Sequence, residues 1–238
     1  MASFNATLDT SKKHTFIVEH MDPELEKWQV LEYSTIASEC ASASSQFILS
    51  GLPKAVPELS QVEQSPSSVD DLVSSAGIPK ERVCLLDPRG ESDLAPEDGD
   101  KFDVFVFGGI LGDDPPRDRT AELRVKGFGG RRLGKEQLTT DTAARVTRIV
   151  VQEKSELSCP VFFFLFFFLS DQNNLLTCAD EVPLAEVPYV DRPSIQVSAS
   201  ESVEMPFKYV KGKDGKAIMP EVRLRHLMLS RDTNSRRK

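Results

Sequence analysis

The sequence has few of the residues that bind metals or form disulfide bonds. It contains four cysteines, none of them in a Cys-x-x-Cys pair, and three histidines. Because structural zinc sites need closely spaced cysteine and histidine ligands, no metal site is expected. Cysteines so few and so irregularly spaced favour reduced thiols in the cytoplasm or nucleus, and we expect a cytoplasmic protein.

The chain also lacks a positive net charge and a long hydrophobic run. Its formal net charge of −8 argues against a protein that grips nucleic acid by general electrostatics, and agrees with a basic protein partner. The apolar run Val161–Leu169 has nine residues, well short of the about 20 that span a bilayer. Residues 1–13 lack the apolar core of a signal peptide and are interpreted as a disordered lead-in. We therefore expect no membrane association.

Predicted strands alternate with predicted helices along the chain. Apolar, β-branched runs predict strands at residues 14–19, 47–50, 82–86 and 102–107, and helical periodicity predicts helices at 23–38, 69–75, 120–126 and from Thr139 onward. The helix at 23–38 would bury Leu25, Trp28, Leu31 and Ile36, while Gly51–Val69 is predicted as a surface loop. This alternation indicates an α/β protein with a mostly parallel sheet and helices on both faces, in one domain over residues 14–229. A final helix that contains Val222, Leu224 and Leu227 is predicted after Pro220, before a basic tail at 230–238.

The segment Phe102–Asp118 is the strongest candidate for a functional site. A buried strand ends at Gly108 and Gly109, and a charged loop stiffened by two prolines follows. Open α/β sheets bind ligands at the carboxyl ends of their strands, so these glycines could cradle a ligand. They could equally form a tight exit from the strand, and the charged loop could be an ordinary solvated one. The spacing matches neither a dinucleotide fingerprint nor a Walker loop.

Two further places belong to the predicted site. The glycines from Gly127 to Gly134 are predicted to form a loop before Thr139-Thr140-Asp141, which suits a helix start. The exposed N–H groups of that start could also bind a ligand. Glu19 and His20 are polar residues at the carboxyl end of the first strand, where sites of parallel sheets lie.

The stretch at residues 155–180 does not fit its surroundings. It includes six phenylalanines within nine residues, a composition that natural strands seldom use. Phenylalanine, leucine, serine and proline have pyrimidine-rich codons, so the run is similar to the translated polypyrimidine tract of an intron. We hypothesise that this stretch comes from an unspliced or mis-annotated intron. A buried strand is the alternative.

Several motifs together resemble one small family. They are IVEHM…W…LEYS near the start, VCLLDPR, FDVFVFGGILGDDPPRDRT, RRLG…QLTTDTA and EMPFKYV. They are similar to the SPOUT-class methyltransferases of fungi and other eukaryotes that are typified by a yeast arginine methyltransferase acting on a small-subunit ribosomal protein. The resemblance covers the chain except for the lead-in, the serine-rich loop and the stretch at 155–180. It implies an α/β fold whose C-terminal part forms a deep trefoil knot, an exception to the rule against knots.

The resemblance also implies a cofactor and a set of site residues. S-adenosylmethionine would bind among loops of the knot, which carry over to Phe107, Gly108, Gly109, Ile110, Leu111, Gly112, Arg132, Leu133, Gly134, Gln137, Leu138, Thr139 and Thr140. Asp113, Asp114 and Glu19 would orient a guanidinium and accept its proton, with Asp113 as the first candidate. His20, Arg117, Asp118 and Arg119 would contact the substrate.

The function implied is S-adenosylmethionine-dependent methylation of an arginine in a basic protein, expected to be a small-subunit ribosomal protein. An RNA methyltransferase is the alternative, because Arg117, Arg119, Arg124, Arg131 and Arg132 could form a local phosphate-binding patch. A non-catalytic, ribosome-associated binding module is a second alternative. A monomer is favoured, since no exposed apolar stripe is evident.

Overall fold

One parallel sheet forms the centre of the protein. The computed structural model describes residues 4–22, 25–108, 120–152, 154–155, 180–198 and 201–220. The strands of the sheet are β1 (Thr15–Glu19), β2 (Gln46–Ser50), β3 (Glu63–Gln64), β4 (Val83–Leu86), β5 (Ser92–Asp93), β6 (Val104–Gly108) and β7 (Gly129–Arg132). They are all parallel and lie in the order β3-β2-β1-β6-β4-β7-β5. The prediction of a mostly parallel sheet is confirmed.

The central strands β1, β4 and β6 are apolar because both of their faces are covered. Phe16 of β1 stacks on Phe105 of β6 with ring centroids 5.6 Å apart, while Ile17 joins a second apolar cluster on the opposite face. Glu19 pairs in register with Gly108 on β6. The carboxyl ends of the central strands therefore reach the same edge of the sheet.

Helices pack on both faces of the sheet, as predicted. They are α1 (Lys27–Ser42), α2 (Val69–Ser75), α3 (Asp98–Lys101), α4 (Thr120–Arg124) and α5 (Thr140–Gln152), with single 3-10 turns at Pro57–Leu59, Lys80–Arg82 and Leu184–Glu186. Apolar residues of α1 and α5 join the cluster that contains Phe16, and those of α2 and α4 join the cluster that contains Ile17. Ser68 caps α2, because its hydroxyl accepts the backbone N–H of Asp71 at 3.2 Å.

The helix α1 differs from its prediction in position and in its buried face. It begins at Lys27 instead of Pro23, which lies outside the described residues, and a capping box of Glu26 and Gln29 marks its start. Of the expected stripe of Leu25, Trp28, Leu31 and Ile36, Ile36 is buried and the other three are half-buried, whereas the further buried side chains on α1 are Gln29, Glu32, Tyr33 and Cys40. The prediction is wrong because apolar periodicity cannot detect polar side chains that a fold buries.

Two segments predicted as loops belong to the sheet. The stretch Gly51–Val69 contains β3, and its side chains Leu59 and Val62 are fully buried. The glycine-rich stretch before Gly134 contains β7. These predictions are wrong because β3 and β7 are short and their pairing comes from distant parts of the chain. A Cβ at Gly129 would lie 3.3 Å from the Phe102 ring, so glycine allows β7 to pack closely there.

The connection from β4 to β5 crosses over β7, because β7 lies between these two strands in the sheet. The backbone N–H of Asp87 donates to Arg131 O at 2.8 Å, and that of Leu94 donates to Arg132 O at 2.9 Å. Gly90 lies at the crossing, where a Cβ would be 2.6 Å from the carbonyl carbon of Arg131. The chain leaving β7 therefore passes beneath residues 87–94.

The C-terminal part adds three small antiparallel pairs. They are β8 (Lys154–Ser155) with β9 (Asp180–Glu181), β10 (Tyr189–Val190) with β13 (Tyr209–Val210), and β11 (Ser194–Ser198) with β12 (Glu201–Glu204). The strand β13 lies against α5. Most of the stretch at 155–180, the predicted final helix and the basic tail lie outside the described residues. Within the described ranges, no helix is long and apolar enough to cross a membrane.

Candidate functional site

A cavity of about 350 Å³ lies at the carboxyl ends of β4 and β6. One wall comes from these strand ends, another from residues 133–138 after β7, and a third from the first turn of α5. Its lining residues are Leu86, Asp87, Pro88, Arg89, Phe107, Gly108, Thr120, Leu133, Gly134, Lys135, Glu136, Gln137, Leu138, Thr140 and Ala143. Small-molecule sites have this size and this mixture of apolar walls with a few polar groups.

The local sequence explains how each wall forms. Gly134 has a φ of +84°, a left-handed conformation that turns the chain after β7 back toward the cavity. Leu133 and Leu138 supply apolar surface beside that turn. The helix α5 then begins beside the cavity, where the Thr139 hydroxyl donates to the Thr142 hydroxyl at 2.7 Å. The positive end of the α5 dipole consequently lies beside the cavity.

Asp87 is the charged wall residue with the most hydrogen bonds. Its carboxylate accepts Arg124 Nε at 2.5 Å and Nη2 at 2.9 Å, the Thr120 hydroxyl at 3.0 Å and the Arg89 backbone N–H at 2.9 Å. Burial opposes ionisation of Asp87, but these hydrogen bonds outweigh it and hold the pKa of the carboxyl below its usual value. Asp87 therefore stays ionised and ties the first turn of α4 to the loop after β4.

Many of the predicted cofactor residues meet in this cavity. Those that line it are Phe107, Gly108, Leu133, Gly134, Gln137, Leu138 and Thr140. Thr139 is buried next to them, while Arg132 pairs with Asp93 at the edge of the sheet. Gly109, Ile110, Leu111 and Gly112 lie outside the described residues.

Sequence reasoning missed part of the cavity wall. The missed residues are Leu86, Asp87, Pro88, Arg89, Thr120, Lys135, Glu136 and Ala143. The stretch Asp87-Pro88-Arg89-Gly90 has the composition of a turn, but it directly follows a buried strand at the same edge as Gly108. That position was the signal that could have identified it.

Glu19 lies next to the cavity strand β6 but turns toward the opposite face of the sheet. Its Oε2 accepts the backbone N–H of Val69 at 2.6 Å and the Ser50 hydroxyl at 3.2 Å, and its Oε1 lies 3.6 Å from Lys126 Nζ. These contacts join β1 to the end of β2, the start of α2 and the turn that follows α4. His20 turns the other way, toward α1, and its Nδ1 lies 3.4 Å from the Tyr33 hydroxyl.

The remaining predicted residues, Asp113, Asp114, Arg117, Asp118 and Arg119, lie outside the described residues. The residues that flank their segment, Gly108 and Thr120, both line the cavity.

The cysteines in the described ranges are buried thiols. Burial raises the pKa of Cys40 and of Cys84 to about 12, so both stay protonated at neutral pH. Within the same ranges, no group of three or more histidine, cysteine or acidic side chains could hold a metal ion.

Known proteins are similar to this chain both in sequence and in fold. The family model described as "SFM1-like: Protein arginine N-methyltransferase SFM1-like" matches residues 15–234. Protein arginine N-methyltransferase SFM1 of Saccharomyces cerevisiae is 36% identical over 221 residues, which cover 87% of this chain and 90% of the yeast protein.

Two crystal structures of the yeast arginine methyltransferase SFM1 extend this similarity to three dimensions. The complex with SAM matches with a TM-score of 0.71 at 34% identity, and the match covers 91% of each chain. The complex with SAH matches with a TM-score of 0.70 at 35% identity, covering 90% of this chain and 94% of the other. The resemblance seen in the sequence motifs is confirmed. This chain belongs to the SFM1-like family of protein arginine N-methyltransferases.

Proposed function

We propose that this protein transfers a methyl group from S-adenosylmethionine to an arginine of a small-subunit ribosomal protein. One observation carries the proposal. The residues that line the cavity at the sheet edge include seven that the family motifs had indicated for the cofactor, namely Phe107, Gly108, Leu133, Gly134, Gln137, Leu138 and Thr140. The yeast SFM1 structures were solved as complexes with SAM, SAH and MTA.

The cavity suits a nucleoside-containing cofactor. Leu86, Leu133 and Leu138 supply an apolar surface for an adenine ring, and backbone groups of residues 133–138 can hydrogen-bond to its edge. Polar groups at the other walls, among them Glu136 and Arg89, suit the charged amino-acid end. When bound, S-adenosylmethionine supplies an electrophilic methyl group. The chain itself must align the acceptor nitrogen with that group.

The acceptor must lose a proton, because a guanidinium has a pKa above about 12 and is a poor nucleophile while protonated. We assign Asp113 as the proton acceptor and Asp114 as a group that orients the guanidinium, whereas Glu19, which the sequence also suggested, is left out because its carboxylate is held on the opposite face of the sheet by Val69, Ser50 and Lys126. His20, Arg117, Asp118 and Arg119 would contact the surrounding substrate. The support for this assignment is that both flanks of the segment 109–119 line the cavity. Proton acceptance by a positioned carboxylate typically contributes about 10²–10⁴-fold to the rate.

We also propose that the C-terminal part is threaded into the trefoil knot implied by the sequence resemblance. The crossing of residues 87–94 over the chain that leaves β7 supports this threading, because α5 follows directly from the strand beneath the crossing. The buried thiols of Cys40 and Cys84 favour a cytoplasmic location. A monomer is favoured because, among the described residues, Val125 and Ile218 are the large apolar side chains that are exposed.

A labelling experiment tests the proposed function. The purified chain is mixed with methyl-labelled S-adenosylmethionine and an extract from cells that lack the endogenous enzyme, and the product is divided between nuclease and protease. We expect label that is lost only to protease, on a band the size of a ribosomal protein, with methylarginine after hydrolysis. Label lost to nuclease would show an RNA methyltransferase instead. Cofactor binding without transfer would indicate a non-catalytic binding module.

Exchanging the proposed proton acceptor tests the mechanism. Asp113→Asn should lower the transfer rate at least about 100-fold while changing cofactor affinity only a few-fold. Asp191→Asn, at an exposed position after β10, serves as the control and should keep the normal rate. Normal turnover by the Asp113 variant would remove this residue from the mechanism.

A further inference from the structure

The loop that forms one wall of the cavity contacts the C-terminal part of the chain. This loop, residues 133–138, connects β7 to α5. Lys208 directly precedes β13, and its Nζ lies 3.0 Å from Glu136 Oε2 in the loop. The same Nζ lies 4.5 Å from the centroid of the Tyr189 ring in β10. Lys208 therefore joins the antiparallel pair β10–β13 to the cavity wall.

Lys208 is held in place from several sides. Its side chain is only 17% exposed, and the face of an aromatic ring attracts a cation that lies above it. The strand that follows Lys208 pairs in register with the strand of Tyr189, since Val210 lies opposite Tyr189. Val210 is also buried in the apolar cluster on which the wall residues Leu133 and Leu138 pack. The position of the Lys208 ammonium is therefore fixed relative to the cavity wall.

Tyr189 contributes a neutral ring to this contact. Burial, and after it the negative charge of Glu136, raises the pKa of Tyr189 to about 12, so its hydroxyl stays protonated at neutral pH. The hydroxyl is buried, and no residue in the described ranges forms a hydrogen bond with it. The ring of Tyr189, not its hydroxyl, is therefore the part that holds the ammonium of Lys208.

Glu136 is the acidic residue of the cavity wall that a ligand can still use. Among the described residues, the carboxylates that line the cavity are those of Asp87 and Glu136. Asp87 already accepts hydrogen bonds from two side chains and one backbone N–H. The Glu136 side chain is 66% exposed, and its contact with Lys208 is made by Oε2. Its Oε1 is therefore left for a second donor.

The chemistry of the cofactor identifies that donor. The amino-acid end of S-adenosylmethionine carries one ammonium and one carboxylate. Charge-assisted hydrogen bonds are stronger than neutral ones, so a carboxylate side chain suits the ammonium. Two cations of the lining, Lys135 and Arg89, suit the carboxylate of the same end. The cavity wall therefore offers a charge of each sign to an amino-acid group.

We propose that Glu136, oriented by Lys208 on the Tyr189 ring, binds the ammonium of the cofactor's amino-acid end. This rests on the proposed function for the identity of the cofactor. An exposed glutamate side chain has many rotamers, and ordering it on binding costs affinity. The contact of Oε2 with Lys208 restricts those rotamers before the cofactor arrives. Lys208 and Tyr189 are therefore positioning residues, and Glu136 is the residue that touches the cofactor.

Two cofactor derivatives test this proposal. S-adenosylhomocysteine has the amino-acid end, whereas 5′-methylthioadenosine has the same adenosine and sulfur but no ammonium. Their Kd values are measured by calorimetric titration of the full chain and of Glu136→Gln. We expect the variant to bind S-adenosylhomocysteine at least about fivefold more weakly, and 5′-methylthioadenosine within about twofold of the unmodified protein. Equal weakening for both molecules, or no weakening for either, would overturn the proposal.

Variants of the positioning residues test how Glu136 is oriented. Lys208→Met and Tyr189→Leu should each lower the preference for S-adenosylhomocysteine about two- to fivefold, whereas Tyr189→Phe keeps the ring and should keep the preference. The double variant Glu136→Lys with Lys208→Glu restores an ion pair but places a cation at the cavity. We expect its Tm to match that of the unmodified protein while the preference stays lost. Recovery of the preference would show a purely structural pair and overturn the proposal.

Asp100→Asn is the matched control. Asp100 is also an exposed carboxylate that pairs with a lysine, since its Oδ1 lies 3.0 Å from Lys13 Nζ, but this pair lies before the starts of β1 and β6, at the other edge of the sheet. Its variant should keep both Kd values, and an equal loss of preference there would overturn the proposal. A Glu136 variant with the full preference would overturn this inference even if the protein methylates arginine. Absence of methylarginine with the unmodified protein would instead refute the proposed function.

Discussion

Gly90 provides a sharp test of the crossing between the β4–β5 connection and β7. Replacing it by alanine adds one methyl group, which would lie 2.6 Å from the carbonyl carbon of Arg131, 2.9 Å from the nitrogen of Arg132 and 3.0 Å from the Cα of Arg131. All three are backbone atoms, and neither chain can move away cheaply. The Asp87 N–H bonds to Arg131 O, and the Gly90 N–H bonds to Asp87 O, both at 2.8 Å.

The expected cost of Gly90→Ala follows from this crowding. Overpacking a close-packed site costs about 1–3 kcal/mol, and contacts with hydrogen-bonded backbone place this substitution in the upper half of that range. For a chain of this size, each 1 kcal/mol lowers Tm by about 2–4 °C, so we expect a decrease of about 4–12 °C. Cofactor affinity should fall as well, because Pro88 and Arg89 beside Gly90 line the cavity.

Gly130→Ala is the matched control for this prediction. A Cβ at Gly130 would face the same crossing from the other side, but 3.5 Å from the Gly90 Cα, an ordinary van der Waals contact. Thermal unfolding and calorimetric titration with S-adenosylhomocysteine on both variants provide the comparison. If the Tm values of the Gly90 and Gly130 variants agree within 2 °C, the crossing is not as close as the structure shows and the reasoning fails.

Three other perturbations have defined outcomes. Arg124→Met removes the guanidinium whose two hydrogen bonds hold the Asp87 carboxylate, so cofactor affinity should fall about tenfold or more in a calorimetric titration. Arg124→Lys keeps the charge and should lose less affinity. Equal losses in the two variants would refute the role of the paired hydrogen bonds. Lys154 of β8 is the strand partner of Glu181 of β9, so the two flanks of residues 156–179 lie side by side. Replacing residues 156–179 by the turn Asn-Gly should therefore preserve Tm and cofactor binding. Loss of either would contradict this prediction. Burial lowers the pKa of His14, so below about pH 6.5 the unfolded chain binds a proton at this residue that the folded chain does not bind. The free energy of unfolding, measured with urea, should therefore decrease from pH 7.5 to 5.5, and it should decrease less in His14→Gln. An equal decrease in this variant would exclude His14 as the cause.

The hypothesis of a translated intron has its own test. Sequencing the mature transcript determines whether the stretch at 155–180 is encoded in it. A clean read through this stretch in abundant message would refute the hypothesis.

The sequence by itself was sufficient to predict the strands and helices whose burial shows in the local pattern of apolar residues. The apolar runs of β1, β4 and β6, the capped helix α2 and the start of α5 all form as predicted. The same local patterns identified the strand end at Phe107–Gly108, because glycines after buried strands mark the ligand-binding edge of a parallel sheet. The residues Leu133, Gly134, Gln137 and Leu138 came from the family motifs instead. The family motifs named the cofactor that this edge suits.

Only the tertiary structure decided which distant segments meet there. The strand β7 contains two glycines and two arginines, so nothing local shows that it inserts between β4 and β5 or that the loop containing Asp87 crosses above it. Nor does apolar periodicity show that α1 buries Glu32 and Tyr33. The physical reason is the same in each case. Hydrophobic spacing records how deeply a residue is buried, whereas strand insertion and buried polar contacts depend on which partner the rest of the chain brings to that place.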